Sequence, residues 1–177
     1  MTMAKLGPID QIGYLTVDLD AAVARWTRQL GVGPWTLFRN VALNGKYREQ
    51  PTRVTIDVAL SYQGAVQIEL IQPTNEAPSP YRGSDGAVLQ GIHHVAWVVD
   101  DIDRELARFA EVGLTPAFTA SNPATRVAYL APEGGAGVYY ELIEGTGMRA
   151  MIDEGAAGAA RWDGSTPVIE IDLSAPA

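Results

Sequence analysis

The chain has no cysteine, only two histidines and few basic side chains. Its 177 residues contain 13 Lys and Arg against 21 Asp and Glu, which gives a formal net charge of −8. Because cysteine is absent, disulfides and thiolate ligands are excluded, and any bound metal must be held by nitrogen and oxygen atoms. Nucleic acids and anionic membranes are bound through basic surfaces, so the acidic balance argues against both and favours a small molecule as the partner.

Long apolar runs are also missing. No segment approaches the roughly 18 apolar residues that a membrane-spanning helix needs. The segment from Met1 to Leu15 lacks the apolar region and cleavage site of a signal peptide, so we expect a cytoplasmic protein. Hydrophobic residues nevertheless make up 47% of the chain and charged residues 19%, which is the composition of an ordinary globular protein.

The sequence contains an internal repeat. The segment QIGYLTVDLDAAVARW, which begins at Gln11, aligns without a gap with HVAWVVDDIDRELARF, which begins at His94. Further on, VQIELIQ around Glu69 matches VYYELIE around Glu141 at a shorter spacing. Each half of the chain therefore begins and ends alike, which predicts two similar modules.

In both halves a short apolar segment precedes a helical pattern. QIGYLTV and HVAWVV are rich in β-branched and aromatic residues, as strands are. Asp18 and Asp101 are suitable N-caps for the helices that follow, and Gly31 and Gly113 fall where left-handed C-caps are expected. Three further short strand patterns follow in each half, so each half is predicted to be a βαβββ unit.

The repeat also predicts the domain organisation. We expect the first module in residues 1–77, a Pro- and Gly-rich linker in residues 78–90 and the second module in residues 91–145, all within one compact domain. Residues 146–177 form a Gly- and Ala-rich C-terminal extension, for which the pattern predicts no definite secondary structure.

The paired modules resemble the vicinal oxygen chelate superfamily, which includes glyoxalase I and methylmalonyl-CoA epimerase. The resemblance rests on QIGYLTVDLDAAV and GIHHVAWVVDDID at the module starts and on IEL and YEL at their ends. It implies an α+β fold in which two tandem βαβββ modules form one cupped, mixed, eight-stranded sheet. It also implies that each module gives one metal ligand from its first strand and one from its last. The implied ligands are Gln11, Glu69, His94 and Glu141.

The residue pattern agrees with a metal site. One Gln or Glu in a strand is usually solvated, but burying four unpaired polar groups at equivalent points of a repeat would cost several kcal/mol each. Two carboxylates, one amide oxygen and one imidazole suit one divalent ion, for which we expect zinc before Ni, Co, Mn or Fe. His93 is out of phase with the repeat, so we expect His94 to be the ligand and His93 to face outward or bond locally. The small Gly13 and Ala96 would leave room for a substrate.

The ligand types also indicate a reaction class. Gln11 stands where an extradiol dioxygenase of the superfamily would have histidine, which favours proton transfer over oxygen activation. The resemblance implies that the metal polarises a carbonyl, so that a carboxylate can move the proton of the adjacent carbon through a metal-stabilised enediolate. It assigns this transfer to Glu141, with Glu69 as its partner. Asp57 is a further candidate acid or base, although it could equally be an exposed strand residue.

Two groups of residues are candidates for contact with the substrate. Gln67 and Tyr139 lie on the same strand faces as the two glutamate ligands. A basic cluster around Tyr47 could hold a carboxylate or phosphate, and Arg48 and Arg53 are its predicted substrate contacts together with Tyr47. The cluster could equally be a solvated loop. Its four basic members are Arg39, Lys46, Arg48 and Arg53.

The leading functional prediction is a metal-dependent isomerase or epimerase for a small carbonyl acid or thioester, similar to methylmalonyl-CoA epimerase and forming a homodimer. One alternative is a lactoylglutathione lyase, whose ligand types this chain shares but whose glutathione site is not recognisable here. The epimerase pattern has His and then Gln at the positions of Gln11 and Glu69, so the chain departs from it. Another alternative is a non-catalytic binding or resistance protein, against which the intact set of four ligand residues argues.

Overall fold

The computed structural model describes residues 5–132 and 137–174. Within these residues the chain forms three helices and nine strands, and all nine strands belong to one sheet. In chain order the elements are β1 (Gln11–Leu15), α1 (Leu19–Leu30), β2 (Trp35–Tyr47), β3 (Gln50–Gln63), β4 (Val66–Pro73), β5 (Gly91–Val98), α2 (Ile102–Ala110), β6 (Pro116–Ser121), β7 (Arg126–Leu130), β8 (Tyr139–Glu144), α3 (Met148–Ala160) and β9 (Val168–Asp172).

Strands β1 to β8 of the described chain close into a ring. Their order around it is β3-β4-β1-β5-β8-β7-β6-β2, and β2 also pairs with β3. The pairs β1–β4 and β5–β8 are parallel, whereas the other pairs within the ring are antiparallel. This arrangement confirms the expected α+β fold with a cupped, mixed, eight-stranded sheet. Strand β9 is an addition, which runs parallel to the first part of β2.

The two modules meet where their first strands pair. Strands β1 and β5 are antiparallel neighbours, with Gln11 opposite Ala96 and Gly13 opposite His94. We call this pair of strands the seam. The last strands of the modules, β4 and β8, flank the seam on either side. The four strands that carry the predicted ligands are therefore consecutive in the sheet.

The helices begin at the predicted caps. The side chains of Asp18 and Asp101 each accept a hydrogen bond of 2.9 Å from the backbone N–H three residues further on. Helix α1 ends at Leu30 and is capped by Gly31, whose φ of 66° is left-handed as expected. Helix α2 ends at Ala110, before Gly113, whose φ is also positive at 81°.

Helices α1 and α2 cover the outer face of the ring with apolar side chains. Tyr14 on β1 points toward α1 and meets Trp26 edge-on, with the ring centroids 5.0 Å apart. A separate apolar and aromatic cluster lies inside the ring. None of the described helices is long and apolar enough to cross a membrane. The side chains inside the ring include Leu15, Val41, Leu43, Val54, Ile56, Val58, Ile71, Tyr81, Phe118, Ala120 and Tyr129.

The C-terminal extension contains α3 and β9, and the sequence pattern predicted neither. Helix α3 packs against β3 and β4, yet among its described residues only Ile152 is buried. All five residues of β9 are exposed. Sequence periodicity reports the burial of one face, so elements with so little burial leave almost no signal.

Candidate metal centre

The four predicted ligand residues meet at one point inside the ring. The Nε2 atom of His94 lies 3.2 Å from Oε1 of Gln11 and 3.2 Å from Oε2 of Glu69. It lies 3.0 Å from Oε2 of Glu141. These four atoms surround one point, which we call the centre. His94, Glu141 and Gln11 are buried, and the side chain of Glu69 is 16% exposed.

Strand register explains why these side chains converge. The parallel pairing sets Glu69 beside Gly13 and Glu141 beside Ala96. Gly13 is in turn the residue opposite His94 across the seam. Because alternate residues of a strand share a face, the side chains of all four predicted ligands point into the ring.

Gly13 provides the surface on which the His94 ring lies. A Cβ atom at Gly13 would be 2.6 Å from Nδ1 of His94 and closer still to its Cε1 and Nε2. The space beside Gly13 is therefore filled by the imidazole, which corrects the expectation that it is left for a substrate. Glycine is required here because any side chain would displace the ring.

His93 points into the ring next to His94. The register across the seam passes from Gly13 opposite His94 to Tyr14 opposite Ile92, so His93 is the extra residue of a β-bulge. The bulge interrupts the alternation of faces, and His93 is only 5% exposed. The expectation that His93 faces outward is therefore wrong, whereas the expected local bonding is observed.

The contacts of His93 fix the tautomer of His94. Nε2 of His93 lies 3.0 Å from the carbonyl oxygen of Pro80, which can only accept, so this nitrogen carries a proton. Burial, together with the neighbouring His94, lowers the pKa of His93 to about 3, so its ring is neutral. Its Nδ1 must then accept the proton of His94 Nδ1, 3.0 Å away. When the His94 imidazole is neutral, its Nε2 is therefore the nitrogen whose lone pair faces the centre.

Gln11 is oriented by a similar set of bonds. Its Nε2 donates to Oε1 of Gln67 at 2.7 Å, and Nε2 of Gln67 donates to the hydroxyl of Tyr62 at 2.8 Å. The oxygen of Gln11 is thereby turned toward the centre. Gln67, predicted to contact the substrate, is 1% exposed and lies behind Gln11, so it orients the amide of Gln11 instead.

The donor set fits a cation. Three acceptor oxygens face one ring nitrogen. In the described part of the chain the buried Oε2 of Glu141 makes no hydrogen bond of regular geometry, although Nε2 of His94 lies 3.0 Å away. Burial raises the pKa of Glu141. Burial alone would lower the pKa of His94, but the carboxylates of Glu141 and Glu69 outweigh it and raise this pKa to about 10. A positive charge is thus needed here, and a divalent ion would supply it while satisfying all four atoms.

Aromatic rings form the wall of the ring interior around the centre. Tyr129 stacks on His94 with the ring centroids 5.2 Å apart, and its hydroxyl lies 3.0 Å from that of Tyr81. Burial raises the pKa of both phenols, so both stay neutral. Tyr139 is half-buried, and its ring lies 5.1 Å from that of His93. Tyr81 comes from the segment predicted as a linker, where no periodicity marks it as a core residue.

The basic cluster lies on the β2–β3 hairpin rather than on a loop. Arg48 is one of the two turn residues, and its guanidinium lies 5.2 Å from the centroid of the Tyr47 ring. Tyr47 packs against the apolar and aromatic cluster inside the ring, as Tyr139 does. Arg53 alternates with the inward-facing Val54 and is exposed, so the prediction that Arg53 contacts the substrate is not supported.

Asp57 does not join the centre. It lies on the outer face of β3, where its carboxylate pairs with Arg39 at 3.2 Å and accepts the backbone N–H of Asn40 at 2.9 Å. Arg39 and Asn40 form a bulge of β2 opposite Asp57. Asp57 therefore stabilises this bulge, which corrects the expectation that it is a catalytic acid or base.

Comparisons with known proteins agree with this architecture. The methylmalonyl-CoA epimerase of Mycobacterium tuberculosis has a similar structure, with a TM-score of 0.52 and 19% identity over 85% of this chain and 97% of that chain. A variant of the Streptomyces coelicolor methylmalonyl-CoA epimerase in complex with 2-nitronate-propionyl-CoA gives a TM-score of 0.50 and 23% identity, over 80% of this chain and 96% of that chain. At such identities the likeness shows the fold alone.

Sequence comparison identifies the family. No curated protein matches the chain. The family model described as glyoxalase/bleomycin resistance protein/dioxygenase superfamily matches residues 10–129, which is more than half of the chain. The chain therefore belongs to this superfamily, the vicinal oxygen chelate proteins.

Proposed function

We propose that the protein is a metal-dependent isomerase or epimerase that transfers a proton at the carbon next to a carbonyl group. The observation that carries the proposal is the pair Glu69 and Glu141, one from each module, whose oxygens lie 3.2 and 3.0 Å from Nε2 of His94. Epimerisation removes a proton from one face of a carbon and returns one to the other. Two carboxylates beside one centre suit that task.

Gln11, Glu69, His94 and Glu141 would hold the ion. A bound divalent ion supplies a Lewis acid that polarises the substrate carbonyl and acidifies the neighbouring C–H. Nitrogen and oxygen donors suit zinc first, and also Ni, Co, Mn or Fe.

The two carboxylates would have different roles. Glu141 is buried, so its Oε2 is shielded from water and would take the proton from carbon. The side chain of Glu69 is four times as exposed, at 16% against 4%, so it would return a proton and exchange it with water.

The remainder of the substrate would lie against Tyr139 and the hairpin. Tyr47 and Tyr139 offer apolar area that excludes water. Arg48 beside Tyr47 offers a positive charge for the carboxylate of an acid or the phosphate of a thioester cofactor. Thioesters are the first class to test, because the Streptomyces coelicolor enzyme carries 2-nitronate-propionyl-CoA.

The test is solvent deuterium exchange. Protein stripped of metal and reloaded with Zn, Ni, Co or Mn is incubated in D₂O with branched acyl-CoA thioesters and 2-oxo acids, and the α-proton is followed by NMR. We expect exchange with at least one loaded form and its loss in Glu141→Gln that is shown to retain the ion. If no loaded form exchanges any substrate, the proposal is wrong.

A lactoylglutathione lyase is the second candidate, and the donor types Gln, Glu, His and Glu favour it. The same loaded protein is mixed with the hemithioacetal of methylglyoxal and glutathione. Formation of the hydroxyacyl thioester, without exchange in the acyl-CoA compounds, would select the lyase. Binding of substrate without either reaction would instead select a binding protein.

A further inference from the structure

The C-terminal helix α3 has no part in the proposed reaction, yet it contacts the side chains behind the centre. We propose that α3 positions Gln11 for the metal, acting through Tyr62 and Gln67. This inference rests on the proposed metal site, and it gives the extension a role in that site.

A chain of hydrogen bonds leads from α3 to the centre. The hydroxyl of Tyr62 donates to the carbonyl oxygen of Met151 in α3 at 3.4 Å, a long bond. The same hydroxyl accepts from Gln67, which in turn accepts from Gln11, at 2.8 and 2.7 Å. Oε1 of Gln11 then lies 3.2 Å from Nε2 of His94.

The first acceptor sets the direction of the whole chain. A backbone carbonyl cannot donate, so the Tyr62 hydroxyl gives its proton to Met151 and has only lone pairs left for Gln67. Gln67 must then point its NH₂ group at Tyr62 and its oxygen at Gln11. Gln11 consequently points its NH₂ group away from the centre and its oxygen toward it. A free amide could turn over and present its NH₂ group, which does not bind metal.

The imidazole of His94 is oriented in the same way, on the other side of the seam. There the carbonyl of Pro80 is the terminal acceptor, and the chain runs through His93 to His94. Both chains begin at a group that can only accept, and both end with a lone pair at the centre. Tyr62 therefore has the place in the first module that His93 has in the second.

Close packing holds Tyr62 in this position. A Cβ atom on Gly155 of α3 would lie 2.5 Å from the Tyr62 hydroxyl oxygen and closer still to two ring carbons. Gly158, one turn further along α3, would place a Cβ atom with no described atom within 4 Å. The helix thus lies directly against the aromatic ring of Tyr62 at Gly155, whereas space remains beside Gly158.

A second contact ties α3 to the backbone at Gln11. Arg149 of α3 forms an ion pair with Asp10, and its Nη2 donates to the carbonyl of Val98 at 3.1 Å. The carboxylate of Asp10 also accepts the N–H of Val98 at 2.8 Å, and its carbonyl accepts the N–H of Gln67 at 2.8 Å. Asp10 directly precedes Gln11, so α3 fixes both the main chain and the amide of this ligand residue.

The test compares metal affinity in three variants of the full chain. Zinc and cobalt dissociation constants are measured by competition with a chromophoric chelator, and the visible spectrum of the Co(II) form reports the ligand set. Tyr62→Phe and Gly155→Ala should weaken binding by about 10- to 100-fold and alter the Co(II) spectrum. Gly158→Ala gains the same helix propensity as Gly155→Ala and should bind as the wild type does. Wild-type affinity and spectrum in both Tyr62→Phe and Gly155→Ala would overturn the inference.

A rescue experiment separates orientation from folding. Glutamate offers an oxygen in either orientation, so Gln11→Glu combined with Tyr62→Phe should regain the affinity of Gln11→Glu alone. Circular dichroism and thermal unfolding check that each variant folds. If the double variant binds zinc and cobalt as weakly as Tyr62→Phe does, Tyr62 does not act by orienting the amide of Gln11. A wild-type chain that binds none of the ions would overturn the proposed function together with this inference, whereas unaffected variants of a metal-binding wild type would overturn the inference alone.

Discussion

Replacing Gly13 by alanine should disrupt the centre without removing any of the four ligand residues. The new Cβ atom would lie 2.6 Å from Nδ1 of His94 and nearer to Cε1 and Nε2, whereas ordinary contacts begin at 3.4 Å. The imidazole must therefore move by about 1 Å or more, while its other face is stacked on Tyr129. A zinc–nitrogen bond tolerates a change of only about 0.2 Å, so the displaced ring can no longer bind the ion.

The expected loss of zinc affinity in Gly13→Ala is more than about 100-fold, beyond the effect of altering a residue that only supports a ligand. The metal-free variant should also be less stable by about 1–3 kcal/mol, which is the usual cost of overpacking. Chelator competition measures the first quantity and urea unfolding the second. Gly158→Ala adds the same methyl group where it meets no described atom and is the matched control. Zinc binding of Gly13→Ala at the wild-type affinity would refute the account of the centre.

Three further predictions concern single groups. In the metal-free protein the pKa of His94 is raised from 6.5 to about 10, so its contribution to stability is complete below pH 6.5. That contribution should fall by at most about 1.4 kcal/mol per pH unit as the pH rises to 10, and urea titrations that show no such fall would contradict it. His93→Phe should keep the aromatic packing but weaken zinc binding by about 10- to 100-fold, and unchanged affinity in chelator competition would show that the tautomer needs no support. Asp57→Ala should lower the unfolding free energy by about 1–2 kcal/mol and leave proton exchange per bound ion unchanged, whereas a 100-fold loss of exchange would restore Asp57 as a catalyst.

The sequence could predict the four residues at the centre because the resemblance to the vicinal oxygen chelate superfamily implies two ligands in each module, and the repeat marks their equivalent positions. Gln11 and His94 begin equivalent strands, and Glu69 and Glu141 lie in equivalent final strands, so one fold rule places all four. The rule works because the side chains follow the alternation of regular strands. Where the strands are regular, the prediction and the structure agree.

Two of the errors come from features that a single strand pattern does not show. His93 is inserted in a bulge, and the gapless repeat beginning at His94 gives no sign of it. Asp57 is on the strand next to that of Glu69, but it pairs with Gln72 and faces the outside of the ring. Which face of the sheet a residue shares with a residue of the next strand depends on the register between the strands, and a single strand pattern does not contain that register. Helix α3 left no periodic signal because only Ile152 among its described residues is buried.

Two similar modules that meet along an antiparallel seam create an approximate two-fold axis through the centre. In a perfectly symmetrical site the two carboxylates would be interchangeable. The site departs from this symmetry at the first strands, where Gln11 is the counterpart of His94. It departs from it again at the last strands, where the side chains of Glu69 and Glu141 are 16% and 4% exposed. The two faces of a bound substrate would therefore meet one carboxylate in contact with bulk water and one shielded from it. Deuterium from the solvent would then enter one face of the substrate carbon faster than the other. Isotope exchange would thus be stereochemically biased, even if both epimers of the substrate are interconverted.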